Sequence, residues 1–157
     1  MIHLSEAHVQ AIRAHGAEDF PCECVGVLLG DVEGDTKVVR EVRRLTNVFT
    51  PNEEFERSVV GADGEVALHG RERRFQIAPD TMFRLMQEER QTGLRVLGFY
   101  HSHPDHPAHP SAYDLEWASP WYSYLILSVR QGQPAELTCW TLDTERHVFL
   151  PEAIQVA

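Results

Sequence analysis

The sequence predicts an α/β (α+β) fold, a single mixed β-sheet flanked by helices. Three observations carry this. Helical stretches with capping signals alternate with short apolar runs of the kind that buried strands show. From Trp121 onward the pattern becomes that of an antiparallel meander. No repeat, low-complexity tract or break in composition divides the chain, so one domain over residues 1–157 is expected.

Ser5 has the position of a helix N-cap, with Leu4 and Val9 as a hydrophobic staple and Val9 and Ile12 as an apolar stripe up to Gly16; Phe20-Pro21 ends this first helix. After Cys22-Glu23-Cys24, the continuous apolar run from Val25 to Gly30 reads as a central strand, and Asp31 to Asp35 as a turn. Thr36 to Leu45 alternates loosely, as a strand with one wet face does. From Thr46 to Gly70 the signals weaken into a long excursion with a hairpin at Asp63-Gly64, a length usually reserved for functional or mobile segments. Phe75-Gln76-Ile77 is expected as a brief strand. Asp80 is expected to cap a second helix whose buried side is Met82, Phe83, Leu85 and Met86, ending at Gly93. Val96 onward is again a buried strand. Trp121 to Val129, Ala135 to Leu142 and His147 to Leu150 complete the meander, and Trp117, Trp121, Tyr122 and Tyr124 are assigned to the core.

Composition narrows the function classes. A hydrophobic fraction of 43% and a charged fraction of 24% are those of a soluble globular protein. No apolar run approaches the ~20 residues of a membrane span, and the N-terminus lacks a basic start followed by an apolar stretch, so the cytoplasm is the default compartment. A net charge of -10 disfavours a nucleic-acid partner, whose affinity comes from Lys and Arg releasing counterions. Arg71, Arg73 and Arg74 around Glu72 are the local exception: they could meet an anionic tail, or form only a solvated face. Cys22, Cys24 and Cys139 are odd in number and include a pair too close for an ordinary bridge, which points to reduced thiols.

The chemistry gathers between Val96 and Trp117. His101 and His103 are one pleat apart at a strand end, so alternation places them on one face. Pro104 stops the strand, and Ser111-x-x-Asp114 opens a short helix with the capping-box pattern while leaving the acid able to return toward the histidines. Two imidazoles and a carboxylate suit Zn²⁺ and leave a fourth position for water, the arrangement of catalytic rather than structural sites. A hydrolase also needs a base, and Glu23 is the best placed, since a strand beside the histidine strand would bring it there; a turn acid facing solvent is the alternative. His106 and His109 lie in the proline-rich loop as solvated residues or as members of a rival metal site, and Ser102 alternates to the opposite face.

His101-Ser102-His103-Pro104, six residues, then Ser111-Ala112-Tyr113-Asp114 resembles the metal motif of the JAMM (MPN+, JAB domain) zinc metalloproteases, closest to the short, free-standing prokaryotic members. The run Pro21 to Gly30 is similar to that family's upstream glutamate segment, with Val25 where a cysteine usually stands. The resemblance implies a cytidine-deaminase-like JAMM/MPN fold, zinc held by His101, His103 and Asp114, Glu23 as general acid/base, and Ser111 as oxyanion support. It implies as partner a ubiquitin-like or sulfur-carrier protein with a flexible glycine-rich C-terminal tail, and as activity hydrolysis of an amide or isopeptide bond after that tail. The activity includes deconjugation or release of a tail-linked amino acid such as cysteine. Deaminase chemistry is not expected, because no His-x-Glu occurs. The alternative from another class is a non-catalytic scaffold of the same fold. The stretch from Glu53 to Gly70 is longer than in minimal relatives and is expected to shape substrate choice.

Overall fold

A computed structural model of the chain describes residues 1–49 and 74–157. In chain order it contains β1 (Ile2–Leu4), α1 (Glu6–Asp19), β2 (Val25–Glu33), β3 (Thr36–Leu45), α2 (Pro79–Thr92), β4 (Arg95–Pro104), α3 (Ala112–Trp117), β5 (Ser123–Arg130), β6 (Gln133–Asp143), β7 (Val148–Pro151) and β8 (Ile154–Val156). Among the described residues the strands form one eight-stranded sheet in the order β7-β6-β5-β4-β2-β3-β1-β8. The sheet is mixed: β2 is antiparallel to β3 and β4, β4 is parallel to β5, and β5, β6 and β7 form the antiparallel meander. β1 is parallel to both β3 and β8.

Only Glu152 and Ala153 lie between β7 at one edge and β8 at the other. So short a link reaches roughly 11 Å, and the sheet curls until its edges approach. Glu152 N–H donates to Cys139 O on β6 at 2.8 Å, while Ile2 N–H on β1 donates to Ala153 O at 3.0 Å, bridging the two sides.

Each face has its own core. Ile12 of α1 packs with Leu28, Tyr100, Leu125, Leu127 and Val129 on one face. Leu85 of α2 packs with Val25, Val27, Val96, Phe99 and the segment carrying Phe75 and Ile77 on the other. α1 is held at its start as expected: Ser5 Oγ accepts from His8 N–H at 3.1 Å, and His8 Nδ1 accepts from Ser5 N–H at 3.2 Å. α2 closes at Gly93 in the left-handed region, φ 78°, which glycine adopts without a Cβ penalty.

Several expectations are corrected. β2 runs on to Glu33, because antiparallel pairing with β3 continues to Glu33 opposite Thr36, so the turn contracts to Gly34-Asp35. Phe75-Gln76-Ile77 is no strand; Gln76 O accepts from Val48 N–H at 2.9 Å, and Phe75 and Ile77 are buried through their side chains rather than by a ladder. Ala78, not Asp80, is the N-cap of α2, since Pro79 takes the first turn and Asp80 falls inside it. Phe83 and Met86 are 62% and 53% exposed, because the apolar contact of α2 with its core runs through Leu85 and Met82. Tyr122 and Tyr124 pack against the core, but Trp117 and Trp121 are 39% and 44% exposed. β1 and β8, with three residues each, carry too little pattern to be seen in sequence. The Asp63-Gly64 hairpin, the stretch Glu53 to Gly70, Arg71 and Arg73 lie outside the described residues. Cys22, Cys24 and Cys139 remain thiols, and burial pushes Cys24 up to about 12. Among the described residues no helix is long and apolar enough to cross a membrane.

Candidate metal centre

Alternation along β4 divides its side chains between the two faces. Tyr100 belongs to the α1 core and Ser102 points the same way, while Phe99 belongs to the α2 core together with the Phe75 ring that lies 4.7 Å from the His101 ring. His101 and His103 therefore share the α2 face, both buried, at 2% and 7% exposure.

Glu23 arrives through strand register. Val25 pairs with His101 in the antiparallel β2–β4 ladder, so Glu23, two residues before the start of β2, comes level with His103. Ser102 extends the ladder by its side chain: Cys24 N–H donates to Ser102 Oγ at 2.8 Å, and Ser102 N–H donates to Cys24 O at 3.2 Å. Asn47 secures the other side, its Nδ2 donating to the carbonyls of Glu23 and Arg74 at 3.0 Å each while its Oδ1 accepts from Gln76 N–H at 3.1 Å. Asp114 arrives through the capping box of α3. Its N–H donates to Ser111 Oγ at 3.1 Å, and its Oδ2 accepts from Ser111 N–H at 2.8 Å.

These elements bring four buried groups to one point. His101 Nε2 and His103 Nε2 are 3.2 Å apart, and the Asp114 oxygens lie 3.1 Å from each. Glu23 Oε1 is 3.9 Å from His103 Nε2. His103 Nδ1 is 2.9 Å from Pro107 O, so in the neutral ring it donates there and presents the Nε2 lone pair to its neighbours. Lone pairs of two imidazoles and a carboxylate do not converge at such distances without positive charge between them. Tetrahedral coordination with bonds of 2.0–2.2 Å spaces ligand atoms about 3.3–3.6 Å apart, within a few tenths of an ångström of the spacing here. Asp114 Oδ1 is close to His101 Nε2 but makes no aligned hydrogen bond, and Glu23 Oε2 is likewise buried without one among the described residues. Orphaned buried carboxylate oxygens of this kind fit a cation.

Charge separates the two acids. Burial pushes the Glu23 carboxyl well above its ordinary range, the Asp114 charge adds to this, and Arg74 opposes it. Burial also works to raise Asp114, but its electrostatic and hydrogen-bond interactions with His101 and His103 outweigh it and hold that carboxyl well below the usual range. One acid is thus set up to carry a proton and the other to stay ionised, a division suited to proton transfer beside a metal.

An open cleft of about 360 Å³ leads to the group, lined by Glu23, Arg74, His103, Pro104, His106, Pro107, His109 and Ser111. His103, on its wall, contacts His101 and Asp114. Among the described residues, Glu23, His101 and His103 have ligand atoms all within 4.8 Å of one another and could hold a metal; neither His106 nor His109 is in that group. Asp114 is nearer to both rings than Glu23 is. His109 instead rests on Trp140, at 5.8 Å between ring centres, and the loop is pinned by Ser128 Oγ to His106 O at 2.6 Å and by Thr138 Oγ1 to Ala108 O at 2.6 Å.

The chain matches the prokaryotic homologs of the JAB domain over residues 5–143. It belongs to this family. It is 33% identical over 117 residues to a desampylase of Haloferax volcanii, covering 74% of this chain and 69% of that protein. It is 30% identical over 74 residues to a desampylase of Pyrococcus furiosus, covering 47% of this chain and 51% of that protein, about half its length. Among solved structures, a Desulfitobacterium hafniense protein has a TM-score of 0.75 and 27% identity, covering 100% of this chain and 93% of its own. A Salinibacter ruber protein has a TM-score of 0.67 and 36% identity, covering 100% and 92%. A JAB1/MPN domain protein from Archaeoglobus fulgidus, with a TM-score of 0.58 and 16% identity over 100% and 99% of the two chains, shares the fold. The expected JAB/MPN fold is therefore the one observed, and the chain is a hydrolase of the JAB family.

Glu23, His101, His103, Ser111 and Asp114, the residues singled out from the sequence, are brought together here. Asn47 and Phe75 escape sequence reasoning. A single asparagine after a strand carries no periodic signal, and the value of Phe75 depends on a ring contact with His101 across the chain.

Proposed function

We propose that residues 1–157 act as one zinc-dependent metallopeptidase domain, hydrolysing the amide or isopeptide bond that follows the C-terminal tail of a ubiquitin-like or sulfur-carrier protein. The observation that carries this reading is the convergence of His101 Nε2, His103 Nε2 and the Asp114 carboxylate within 3.1–3.2 Å of one another, with Glu23 buried beside them. His101, His103 and Asp114 are the zinc ligands. When bound, zinc supplies a Lewis acid for the scissile carbonyl and lowers the pKa of a coordinated water toward neutrality.

In its ionised form Glu23 takes a proton from the attacking water and then delivers it to the leaving amine. Ser111 Oγ uses a lone pair to cap α3, which leaves its O–H to donate to the oxygen of the tetrahedral carbon as negative charge develops there. A cleft of about 360 Å³ is at the small end of ligand-sized sites: it suits a thin extended tail better than a folded surface. The two desampylase relatives support the substrate class.

Glu23→Gln tests the mechanism. About one zinc per chain should remain by metal analysis, while hydrolysis of a carrier-tail substrate falls roughly 10²–10⁴-fold. Near-normal turnover would remove Glu23 from its role. A well-folded protein that takes up no zinc would instead favour the scaffold.

A further inference from the structure

The loop that follows the histidine strand is poor in backbone donors. Pro104, Pro107 and Pro110 carry no N–H, and the loop is anchored at its start by Asp105 N–H, which donates to Val129 O at 2.7 Å. Beyond Asp105, three consecutive carbonyls each meet a side chain. Ser128 Oγ of β5 donates to His106 O at 2.6 Å, and Thr138 Oγ1 of β6 donates to Ala108 O at 2.6 Å. Between them, Pro107 O lies 2.9 Å from His103 Nδ1. The two outer bonds thus clamp the chain on either side of the carbonyl that meets the ring.

The role of each hydroxyl is set by its partners. Trp140 Nε1–H donates to Thr138 Oγ1 at 2.8 Å, and an indole nitrogen can only donate. Thr138 therefore accepts on that side and directs its own proton to Ala108 O. Ser128 is fully buried, and because a carbonyl can only accept, its hydroxyl donates to His106 O. Neither hydroxyl belongs to the residues that line the cleft. What both hold in place is Pro107 O. By the same rule the ring facing that carbonyl carries a proton on Nδ1, which in the neutral imidazole leaves the Nε2 lone pair toward His101 and Asp114. A partner of this kind fixes both the tautomer and the orientation of a metal-binding histidine. Loss of either hydroxyl would release one side of the clamp and let the Pro107 carbonyl turn away from the ring.

We infer that Ser128 and Thr138 are positioning residues for the metal centre, holding Pro107 O against His103 Nδ1 so that the ring keeps one orientation and presents Nε2. The inference rests on the proposal that His103 is a zinc ligand, and it extends the centre to β5 and β6, which supply none of the proposed ligands. The test measures the zinc affinity of the folded, metal-free protein by competition with a chromophoric chelator, circular dichroism confirming the fold of each variant. Thr138→Val keeps the shape of the side chain and removes the hydroxyl, while Ser128→Ala removes the other hydroxyl from a different strand. Loss of the groups that orient a metal-bound histidine weakens metal binding about 10- to 100-fold, and each variant should fall in that range. Thr138→Ser retains the O–H and should bind zinc as the wild type does. A role in stability alone would lower the melting temperature and leave the affinity of the folded protein unchanged. Wild-type affinity in folded Thr138→Val or Ser128→Ala therefore overturns the inference, as does a loss in Thr138→Ser equal to that in Thr138→Val. Should Thr138→Val not fold, Ser128→Ala, the smaller change, decides alone. A wild type that takes up no zinc removes the proposed metal centre and this inference with it, whereas zinc uptake by the wild type with unaltered affinity in the variants removes only the positioning role.

Discussion

Glu23 illustrates how much one residue can hold in opposition to its surroundings. A carboxyl at 4% exposure, with one oxygen unpartnered among the described residues and Asp114 nearby, resists ionisation. Its folded pKa lies above the ordinary 4.5, so between that value and the raised one the folded state binds more protons than the unfolded state. Stability contributed by this group is complete below pH 4.5 and declines as pH rises through the window. Metal-free Glu23→Gln, which has no proton to lose, should therefore melt above the metal-free wild type near neutral pH, with the gap closing as pH falls toward 4.5. Thermal melts of the two proteins across that range check this, and a gap independent of pH would mean the carboxyl is not held protonated by the fold. Glu23 was visible in the sequence because an acid directly before an apolar run is conspicuous. Asn47 was not: three of its side-chain hydrogen bonds join Glu23, Arg74 and Gln76, residues that come together only after folding.

At the scale of elements, the site depends on the β2–β4 pairing more than on either strand alone. Gly26 makes this pairing possible, since a Cβ there would stand 2.0 Å from Tyr100 Cε1. Ser102 carries it past the last paired residue to Cys24, immediately beside Glu23. Ser102→Ala would leave the Cys24 N–H buried and without its acceptor, at about 1–3 kcal/mol. We expect a lower melting temperature, unchanged zinc content, and a fall in kcat larger than any rise in KM, because the base loses its anchor while the ligands keep theirs. Loss of zinc in step with activity would show that Ser102 supports the histidines instead. The histidine strand, α3 and the meander could be read from alternation and capping because those signals are local. α2 could not be oriented by the same means. Its apolar residues exceed what the sheet covers, so Phe83 and Met86 face outward and only tertiary packing distinguishes them from Leu85.

Over the whole molecule, the buried group of Glu23, His101 and His103 occupies one face while a separate core, built on Ile12, Leu28, Tyr100 and Leu125, fills the other. α1 and the curled sheet need no ion to bury these residues, in contrast to small domains that fold only around zinc. Chelation should therefore lower stability without abolishing the fold. A ligand present at 100 times its Kd contributes about 2.7 kcal/mol, which for a chain of this size corresponds to roughly 5–10 °C in Tm. Far-UV circular dichroism of the chelated protein should match that of the zinc-loaded protein at 25 °C, with the melting temperature lower by that amount and restored on adding zinc. His101→Ala should melt at the chelated value with or without zinc. His106→Ala and His109→Ala should still respond to zinc as the wild type does, because those rings stand outside the buried group. Collapse of secondary structure on chelation, or loss of the zinc response in the His106 or His109 variant, would make the ion a structural staple and remove the basis for an open catalytic site.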